Sequence, residues 1–318
     1  MSAKEILKKS PMYSVFLRFK ILYLKQFKIL ITKRKFKEYY NFNLNLIKPE
    51  YLSEKIQYLK LFQYPFDKKV VLAADKYTLK NYLTDMKLDK YITPYLFVVE
   101  NSTDVDMSKL PNSFVLKKTN ASGLNLIVKD IEKIDNKKIS QTIDNWMVND
   151  YGVRSSEFHY SKAKSRILFE PLFNLGNEFR FFMVSGKLAF IQIIVWDWEQ
   201  DTNGNSVDSG NSILGHMKHY RIHLDENFEI LWKDSGANLQ EFVKPSYWND
   251  ILDVSYKIGK DFPLVRIDFN DIDGIPKISE LTFTPANGFL SILKNRRDLD
   301  EKFGSWLNLG DYYEKDSI

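Results

Sequence analysis

The sequence predicts an α+β fold, because helical blocks alternate along the chain with pairs of strands that short turns connect. The turn Ser185-Gly186 lies between two alternating apolar segments, which is the pattern of an antiparallel hairpin. The chain has 318 residues and is 44% hydrophobic, so it can bury a sizeable core. It contains neither a GxGxxG nor a GxxxxGK(S/T) motif, which excludes the standard dinucleotide-binding and P-loop folds.

The predicted elements follow from local patterns. The first helix, in residues 50–62, has apolar residues at helical spacing and Ser53 as its predicted N-cap. The helical pattern continues through Val70–Leu83, and the pattern changes to strands from Ser113 onwards. The later predicted elements are strands at 114–118 and 124–129, a helix at 135–149, strands at 166–170, 178–184 and 187–194, a long polar loop at 197–219, strands at 221–224 and 229–232, a helix at 246–262, and strands at 264–269 and 276–283.

The formal net charge of +5 is unevenly distributed. Residues 1–40 contain eleven Lys or Arg against two acids, and the remainder contains 35 bases against 39 acids. The basicity therefore belongs to an N-terminal arm of charge +9 and not to the body, whose charge is −4. No nucleic-acid-binding motif accompanies the arm, so we expect no nucleic-acid partner. The absence of Cys excludes disulfides, thiolate zinc sites and a cysteine nucleophile.

The arm has the pattern of an amphipathic helix. Arg18, Lys25 and Lys28 fall on one narrow stripe, and Phe19 and Phe27 belong to a broad apolar face. These charges interrupt every run of about 18 apolar residues, so we expect neither a membrane-spanning helix nor a secretory signal. Two interpretations stay open: the helix lies on the anionic inner face of a membrane, or it packs on the body or on a second subunit. We expect a cytoplasmic protein in both cases.

The first candidate for chemistry is Lys117, which ends a strand just before the small polar turn Thr119–Gly123. The backbone N–H groups of such a turn can fold over a polyphosphate, and the lysine adds a point charge. Asn120, Ser122 and Gly123 belong to this turn. An ordinary hairpin turn with a solvated lysine has the same pattern, so the residues alone leave both interpretations open.

The second candidate is the segment from Glu170 to Phe173, which closes an apolar strand. The Glu170 carboxylate could accept the amino group of an adenine, while the backbone at Leu172 and Phe173 contacts the edge of the ring. Glu178 lies eight residues beyond Glu170, where it could reach ribose hydroxyls. A strand end followed by a surface acid is the alternative.

The third candidate joins two neighbouring strands across the turn Asp271–Gly274. Arg266 and Asp268 share one face of the first strand, and Glu280 and Thr282 share one face of the second. Two carboxylates beside an arginine can bind Mg²⁺ and clamp nucleotide phosphates. A solvated cluster of charges is the alternative. A pair of glycosidase carboxylates is disfavoured, because the arginine opposes the raised pKa that one of them needs.

The polar loop at 197–219 is the candidate for substrate recognition, together with the strand that follows it. The loop region contains Trp196, Trp198 and His216, whose neighbours further along the chain are His219 and Arg221. Aromatic rings can stack on sugars, and an arginine such as Arg221 can pair with a carboxylate. A disordered polar loop is the alternative interpretation.

Taken in order, these segments resemble the ATP-grasp enzymes. Their local amino-acid sequences are similar to those of the TupA-like branch, which is named for teichuronopeptide biosynthesis. The matching segments are LSEKIQYLKLF (Leu52–Phe62), ADKYTLKNYL (Ala74–Leu83), LPNSFVLKKTNASGLNLIVKD (Leu110–Asp130), NEFRFFMVSGKLAFIQI (Asn177–Ile193) and FPLVRIDFNDIDGIPKISELTFTPANGF (Phe262–Phe289). The resemblance runs from about Asn43 to Phe289, so the basic arm and the C-terminal tail lie outside it. It implies an ATP-grasp fold in which two α+β subdomains clasp ATP.

The resemblance also implies roles for individual residues. Lys76 and Lys117 correspond to the two phosphate-contacting lysines, and Asn120–Asn125 would form a mobile lid over the phosphates. The adenine would be held by Glu170 with the backbone at Leu172 and Phe173, and the ribose by Glu178. The metal Mg²⁺ would be bound by Asp268 and Glu280, with Arg266 near the transferred phosphate. Thr282 stands where better-known relatives have an asparagine as metal ligand.

The resemblance implies four regions along the chain: the basic helical arm at 1–40, an N-terminal helical region at 41–110, the lid subdomain at 111–172 and a C-terminal subdomain with the metal site at 173–318. It implies an ATP-dependent carboxylate–amine ligase that works through an acyl phosphate. In this family the substrates would be an amino acid and a uronic acid of a bacterial surface polysaccharide. The alternatives are a ligase that makes a small soluble peptide or amino-acid conjugate, and a non-catalytic scaffold of glycan synthesis.

Overall fold

A computed structural model describes residues 11–197, 218–235 and 244–311 of the chain. Within them, helices combine with two antiparallel sheets, so the predicted α+β class is confirmed. Residues 198–217 of the predicted polar loop, with Trp198 and His216, lie outside the described residues.

The described helices are α1 (Pro11–Tyr40), α2 (Leu52–Tyr58), α3 (Lys68–Ala74), α4 (Leu79–Asp85), α5 (Asn136–Met147), α6 (Tyr151–Ser155), α7 (Phe158–Lys162), α8 (Trp248–Gly259), α9 (Ser291–Asn295) and α10 (Arg297–Trp306). The described strands are β1 (Phe97–Val99), β2 (Phe114–Lys118), β3 (Asn125–Val128), β4 (Ile167–Pro171), β5 (Leu175–Val184), β6 (Lys187–Asp197), β7 (Lys218–Leu224), β8 (Ile230–Lys233), β9 (Leu264–Ile272) and β10 (Ile275–Thr282). Helix α2 continues into a π-helical turn at Leu59–Gln63.

The N-terminal arm is helical, and a break at Phe27 divides it into two parts. In the second part Thr32, Phe36 and Tyr40 are buried against the body. In the first part the rings of Phe19 and Tyr23 are exposed. No helix in the described ranges is long and apolar enough to cross a bilayer. The second part of the arm therefore packs on the body.

Helix α2 begins two residues earlier than the predicted N-cap implies, because its N-cap is Tyr51. Ser53 lies inside the first turn, so its prediction as the N-cap was wrong. Its backbone N–H and its hydroxyl both donate to the buried Asp300 carboxylate, each at 2.7 Å. The Glu54 carboxylate accepts from the backbone N–H of Glu50 at 3.0 Å. The free N–H groups of this helix end are thus satisfied by carboxylates and not by the Ser53 side chain.

The helical pattern predicted through Val70–Leu83 is present as two helices, α3 and α4, with a break between them. Asp75 ends α3 in an extended conformation, and its carboxylate accepts from the N–H groups of Tyr77 and Thr78 at 3.0 and 2.9 Å. An aspartate that captures backbone N–H groups in this way favours a turn over a continuing helix. The break places Lys76 in a loop between α3 and α4.

The smaller sheet has the strand order β1-β4-β2-β3. Phe114, Leu116 and Phe169 point to one face, where they form a core with Ile139 and Ile143 of α5. The alternate residues of β2 and β4, among which are Lys117 and Glu170, point to the other face. Strand β1 joins this sheet from the segment before the predicted boundary at residue 111.

The larger sheet has the strand order β10-β9-β5-β6-β7-β8. On β5, Phe179 and Phe181 pack on Trp248 of α8, with ring centroids 5.6 and 5.5 Å apart. Because side chains alternate along a strand, Glu178 and Arg180 point to the opposite face. Strand β7 begins at Lys218 and not at Arg221 as predicted, because its ladder with β6 continues as far as Asp197.

Candidate active site

The candidate site begins with a polar row across three neighbouring strands of the larger sheet. Glu280 on β10 lies opposite Asp268 on β9, and Asp268 lies opposite Arg180 on β5. In the next row of the same face, Thr282 lies opposite Arg266. The register therefore brings both predicted carboxylates and the predicted arginine together on one face.

Arg266 is the centre of this cluster. Its Nε donates to Asp268 Oδ1 at 2.6 Å, and its terminal nitrogen donates to Glu280 Oε1 at 2.8 Å and to the Thr282 hydroxyl at 3.0 Å. Asp268 is 1% exposed and Arg266 is 8% exposed, so water screens these charges weakly. All four predicted residues of this motif are thus linked directly.

The two carboxyls of the cluster have different proton affinities. Burial raises the pKa of Asp268 above its usual range, although the guanidiniums of Arg266 and Arg180 oppose the shift. Burial acts in the same direction on Glu280, but Lys76 and Arg266 outweigh it and hold the pKa of that carboxyl below its usual range. Glu280 is therefore the more firmly ionised partner.

Lys76 connects the acidic pair to the smaller sheet. Its Nζ lies 3.3 Å from Glu280 Oε2 and donates to the carbonyl of Ala121 at 2.7 Å. Its backbone N–H donates to the carbonyl of Thr119 at 3.1 Å. The predicted phosphate lysine thus holds the turn after β2 next to the predicted metal ligands.

Lys117 lies on the inner face of the smaller sheet. Its Nζ lies 2.6 Å from Glu170 Oε2, and both side chains are largely buried. A narrow cavity beside this pair is lined by Lys76, Leu168, Glu170 and Ile278. Leu172 and Phe173 follow Glu170 immediately, and Leu172 is exposed. The predicted base-binding segment therefore borders a cavity between the two sheets.

The predicted lid turn divides into an anchored residue and an exposed tip. The amide of Asn120 is buried and donates to the carbonyls of Tyr160 and Ala163 at 2.9 and 3.1 Å, so this side chain is committed to the protein. Ser122 and Gly123 are exposed, and Gly123 adopts a φ of +71° with open space around it. The structure thus leaves the tip of the turn, and not the Asn120 side chain, free to approach a ligand.

Arg221 is not brought to the acidic pair. It lies on β7, two strands from β5, in register with Ile194 and Glu178. Its Nε and terminal nitrogen donate to the two oxygens of Asp234 at 2.9 and 3.2 Å. Its guanidinium is therefore bound by a neighbouring strand end.

Arg180 was not among the residues predicted from the sequence. Its Nε donates to Glu178 Oε1 at 2.7 Å and lies 3.7 Å from Asp268 Oδ2. A terminal nitrogen donates to the side-chain oxygen Oε1 of Gln192 at 3.4 Å. The signal was its spacing of two residues from Glu178, which places both side chains on one face of a strand. Arg180 thus links the predicted ribose residue to a predicted metal ligand.

The donor set fits Mg²⁺. Asp268 and Glu280 offer hard oxygen ligands on adjacent strands, and the Thr282 hydroxyl lies beside them. Mg²⁺ in proteins is commonly held by one or two carboxylates and completed by phosphate oxygens and water. In the described ranges, no cluster of three or more acidic or histidine ligands is present.

Comparison with known proteins identifies the family. The family model described as TupA-like ATPgrasp matches residues 54–308. Among solved structures, D-alanine–D-alanine ligase from Helicobacter pylori is 16% identical over 80% of this chain and 69% of that chain, with a TM-score of 0.41. The L-amino acid ligase from Bacillus licheniformis is 14% identical over 91% of this chain and 62% of that chain, with a TM-score of 0.42. No curated protein matches the sequence.

The family match, which covers most of the chain, defines the class: an ATP-grasp enzyme, that is, an ADP-forming carboxylate–amine ligase. Within this class, the chain belongs to the TupA-like ATP-grasp family. The fold and the family expected from the sequence are confirmed.

Proposed function

We propose that this site activates a substrate carboxylate as an acyl phosphate and then joins the acyl group to an amine. The observation that carries the proposal is the position of Lys76. One ammonium group contacts both the turn of the smaller sheet and the acidic pair of the larger sheet. A polyphosphate lying between the sheets would therefore meet a cation at the point where its terminal phosphate approaches the metal ligands.

The side chains of the site can stabilise phosphoryl transfer without large rearrangement. Lys117 is held by Glu170, Lys76 by Glu280, and Arg266 by both acids of the pair. Cations that are already oriented stabilise the charge that develops on a transferring phosphoryl group at little reorganisation cost. A substrate carboxylate placed next to Arg266 would attack the γ-phosphorus, break its bond to the β,γ-bridging oxygen and release ADP. An amine would then attack the acyl phosphate, lose a proton and displace phosphate, which leaves the amide.

In this proposal Asp268 and Glu280 hold Mg²⁺, with the Thr282 hydroxyl beside them. The metal supplies charge neutralisation to the phosphate oxygens. Thr282 is a neutral and weaker ligand than a carboxylate, so the two acids supply most of the binding. The exposed tip at Ser122 and Gly123 covers the phosphates and keeps water from the acyl phosphate.

Ligation of D-glucuronate and D-galacturonate to each of the twenty amino acids, followed by ADP release and mass spectrometry, tests the activity. We expect an amide product whose formation falls at least about 100-fold in Asp268→Asn and in Glu280→Gln, since each removes a charged metal ligand. Asp273→Asn is the matched control, because Asp273 is an exposed acid in the turn of the same hairpin. Activity unchanged in both site variants would contradict the proposal.

For the substrates, we propose an amino acid and a uronic acid of a bacterial surface polysaccharide. The support is the TupA-like family together with the basic arm outside the matched region. Product from free amino acids or peptides alone would favour the small-conjugate alternative. Absence of ATP hydrolysis and ligation with every substrate would favour the scaffold.

We also propose that the first part of the arm contacts an anionic membrane surface, which would bring the enzyme to a lipid-linked glycan. The exposed rings of Phe19, Tyr23 and Phe27 lie on a segment that is rich in Lys and Arg, a combination that suits the interface of anionic lipids. Flotation with phosphatidylglycerol vesicles tests this, with phosphatidylcholine vesicles as the control. Equal recovery with both lipids would contradict it.

A further inference from the structure

The order of the residues along β10 indicates how a nucleotide would be oriented in the candidate site. Ile278 borders the cavity next to Glu170, where the proposed base lies. Glu280 follows with the metal ligands, and Thr282 and Thr284 come next along the chain. A nucleotide that runs in this direction ends its phosphates near Thr282. The chain beyond Thr282 therefore borders the space in which the substrates other than ATP must bind.

That chain forms a turn in an unusual conformation. Ala286, Asn287 and Gly288 have φ values of 49°, 58° and 80°, so three successive residues are left-handed. Alanine rarely adopts this conformation, because its Cβ crowds the backbone, and each such residue costs free energy that the surroundings must offset. A turn of this kind persists only where the neighbouring residues hold it.

Lys60 makes the main contacts that hold this turn in place. Its Nζ donates to the carbonyl of Asn287 at 3.2 Å and to the Asn287 side-chain oxygen at 2.6 Å. The Gln57 amide donates to the same carbonyl at 3.1 Å, and the Tyr40 hydroxyl donates to the carbonyl of Gly288 at 3.0 Å. The space around Gly288 is filled by Gln57, whose amide nitrogen lies 2.3 Å from the position of an added Cβ.

The burial of Lys60 imposes a desolvation cost on its charged ammonium group. Its side chain is 1% exposed, and among the described residues it forms no ion pair with a carboxylate. Burial lowers the pKa of Lys60 to about 7, while Glu157 acts to raise it and Lys35 to lower it further. A hydrophobic residue of similar length would avoid this desolvation cost but would leave both oxygens of Asn287 without the ammonium.

The same turn is connected to the metal strand. The carboxylate of Glu157 accepts a short hydrogen bond from the Thr284 hydroxyl, two residues beyond Thr282. The Asn287 amide donates to the carbonyl of Ser155 at 2.7 Å. The turn is thus fixed both to the π-helical segment that carries Lys60 and to the chain around α6.

We propose that Lys60 is a positioning residue, which holds the turn Ala286–Gly288 as the wall of the substrate space beyond the phosphates. It acts through Asn287 and touches no reacting atom. The proposal rests on the proposed ligase function. It requires that loss of Lys60 weakens binding of the carboxylate or the amine while leaving nucleotide binding intact.

The test compares Lys60→Met with Lys55→Met in the full chain. Lys55 is the matched control, since it is a partly buried lysine of α2 that donates to the carbonyls of Gly304 and Leu307, away from the turn. For Lys60→Met we expect the KM of D-glucuronate or of its amino-acid partner to rise at least about tenfold. The KM of ATP should stay within about twofold, and Lys55→Met should show neither change.

Hydrogen–deuterium exchange measures the stability of the turn directly and requires no substrate. Exchange in residues 284–290 should become faster in Lys60→Met but not in Lys55→Met, and residues 264–282 should be unchanged in both. Equal loss of ATP and acceptor binding, an unchanged acceptor KM, or the same effect in the control would overturn the proposal. If the wild-type chain ligates nothing, the proposed function fails and exchange alone decides: an unchanged turn would overturn the role of Lys60.

Discussion

At the residue scale, the candidate site consists of cations and acids that neutralise one another. Arg180 illustrates what this arrangement does. Its guanidinium is held by Glu178 and approaches Asp268, so it fixes two carboxylates that the proposed reaction uses for different purposes. In the proposed function Glu178 binds the ribose and Asp268 binds the metal. A single arginine therefore contacts both of these proposed ligands.

Replacing Arg180 by Met should weaken nucleotide binding. Glu178 would lose its 2.7 Å partner, and a hydrogen bond between charged groups contributes about 1.5–3 kcal/mol, so we expect the KM of ATP to rise about tenfold or more. Steady-state kinetics with varied ATP measures this. Arg296→Met is the control. Arg296 also pairs with an acid, Asp298, but it lies near the C-terminal end of the sequence and outside the candidate site. An unchanged KM in Arg180→Met would show that Glu178 is oriented without it.

At the scale of elements, most of the fold could be predicted from local patterns, and the site only in part. The hairpin at Ser185-Gly186 and the hairpin that carries Asp268 and Glu280 are predictable, because alternation and turn residues are local signals. The partner of Arg221 was not predictable, because a register shift between His223 and Leu224 sets which residue at the end of β8 lies beside Arg221. The spacing along β5 places Arg180 beside Glu178, but its approach to Asp268 was not predictable, because nothing local fixes the register between β5 and β9.

The start of α2 shows a second limit of local patterns. Ser53 has the residue type of an N-cap, but the groups that satisfy this helix end come from Asp300, 247 residues away. A carboxylate supplied by the distant α10 leaves no signal near the helix. The N-terminal and C-terminal regions of the body are therefore joined at this point by a buried polar contact.

Asp300→Ala should destabilise the protein strongly. The substitution leaves the buried N–H and hydroxyl of Ser53 without their acceptor and removes a partner of Arg297. An unsatisfied buried polar group costs about 1–3 kcal/mol, so we expect a loss of about 3 kcal/mol in the free energy of unfolding, measured by urea titration. Asp298→Ala is the control, since Asp298 is an exposed acid of the same helix. A loss below about 1 kcal/mol would contradict the assigned role of Asp300.

At the scale of the whole molecule, the break at Phe27 separates a part of the arm that packs on the body from a part for which we propose membrane contact. Its second part belongs to the core: Phe36 is fully buried, and the Tyr40 hydroxyl bonds to the turn at Gly288. Its first part contributes six of the eleven basic residues of the arm. The hydrophobic periodicity of the arm predicts one continuous helix. It does not show the break at Phe27, because that break is a feature of the backbone.

Two truncations separate these roles. Removal of residues 1–26 should leave the melting temperature within about 2 °C, since it spares Thr32, Phe36 and Tyr40, the arm residues that the structure describes as buried. It should also abolish flotation with phosphatidylglycerol vesicles. Removal of residues 1–40 should lower stability by several kcal/mol, because deletion of a buried aromatic side chain alone costs about 3–5 kcal/mol. Differential scanning calorimetry compares the two proteins with the full chain. If the shorter truncation unfolds the protein, the first part also supports the core, and if it still floats like the full chain, the membrane contact lies elsewhere.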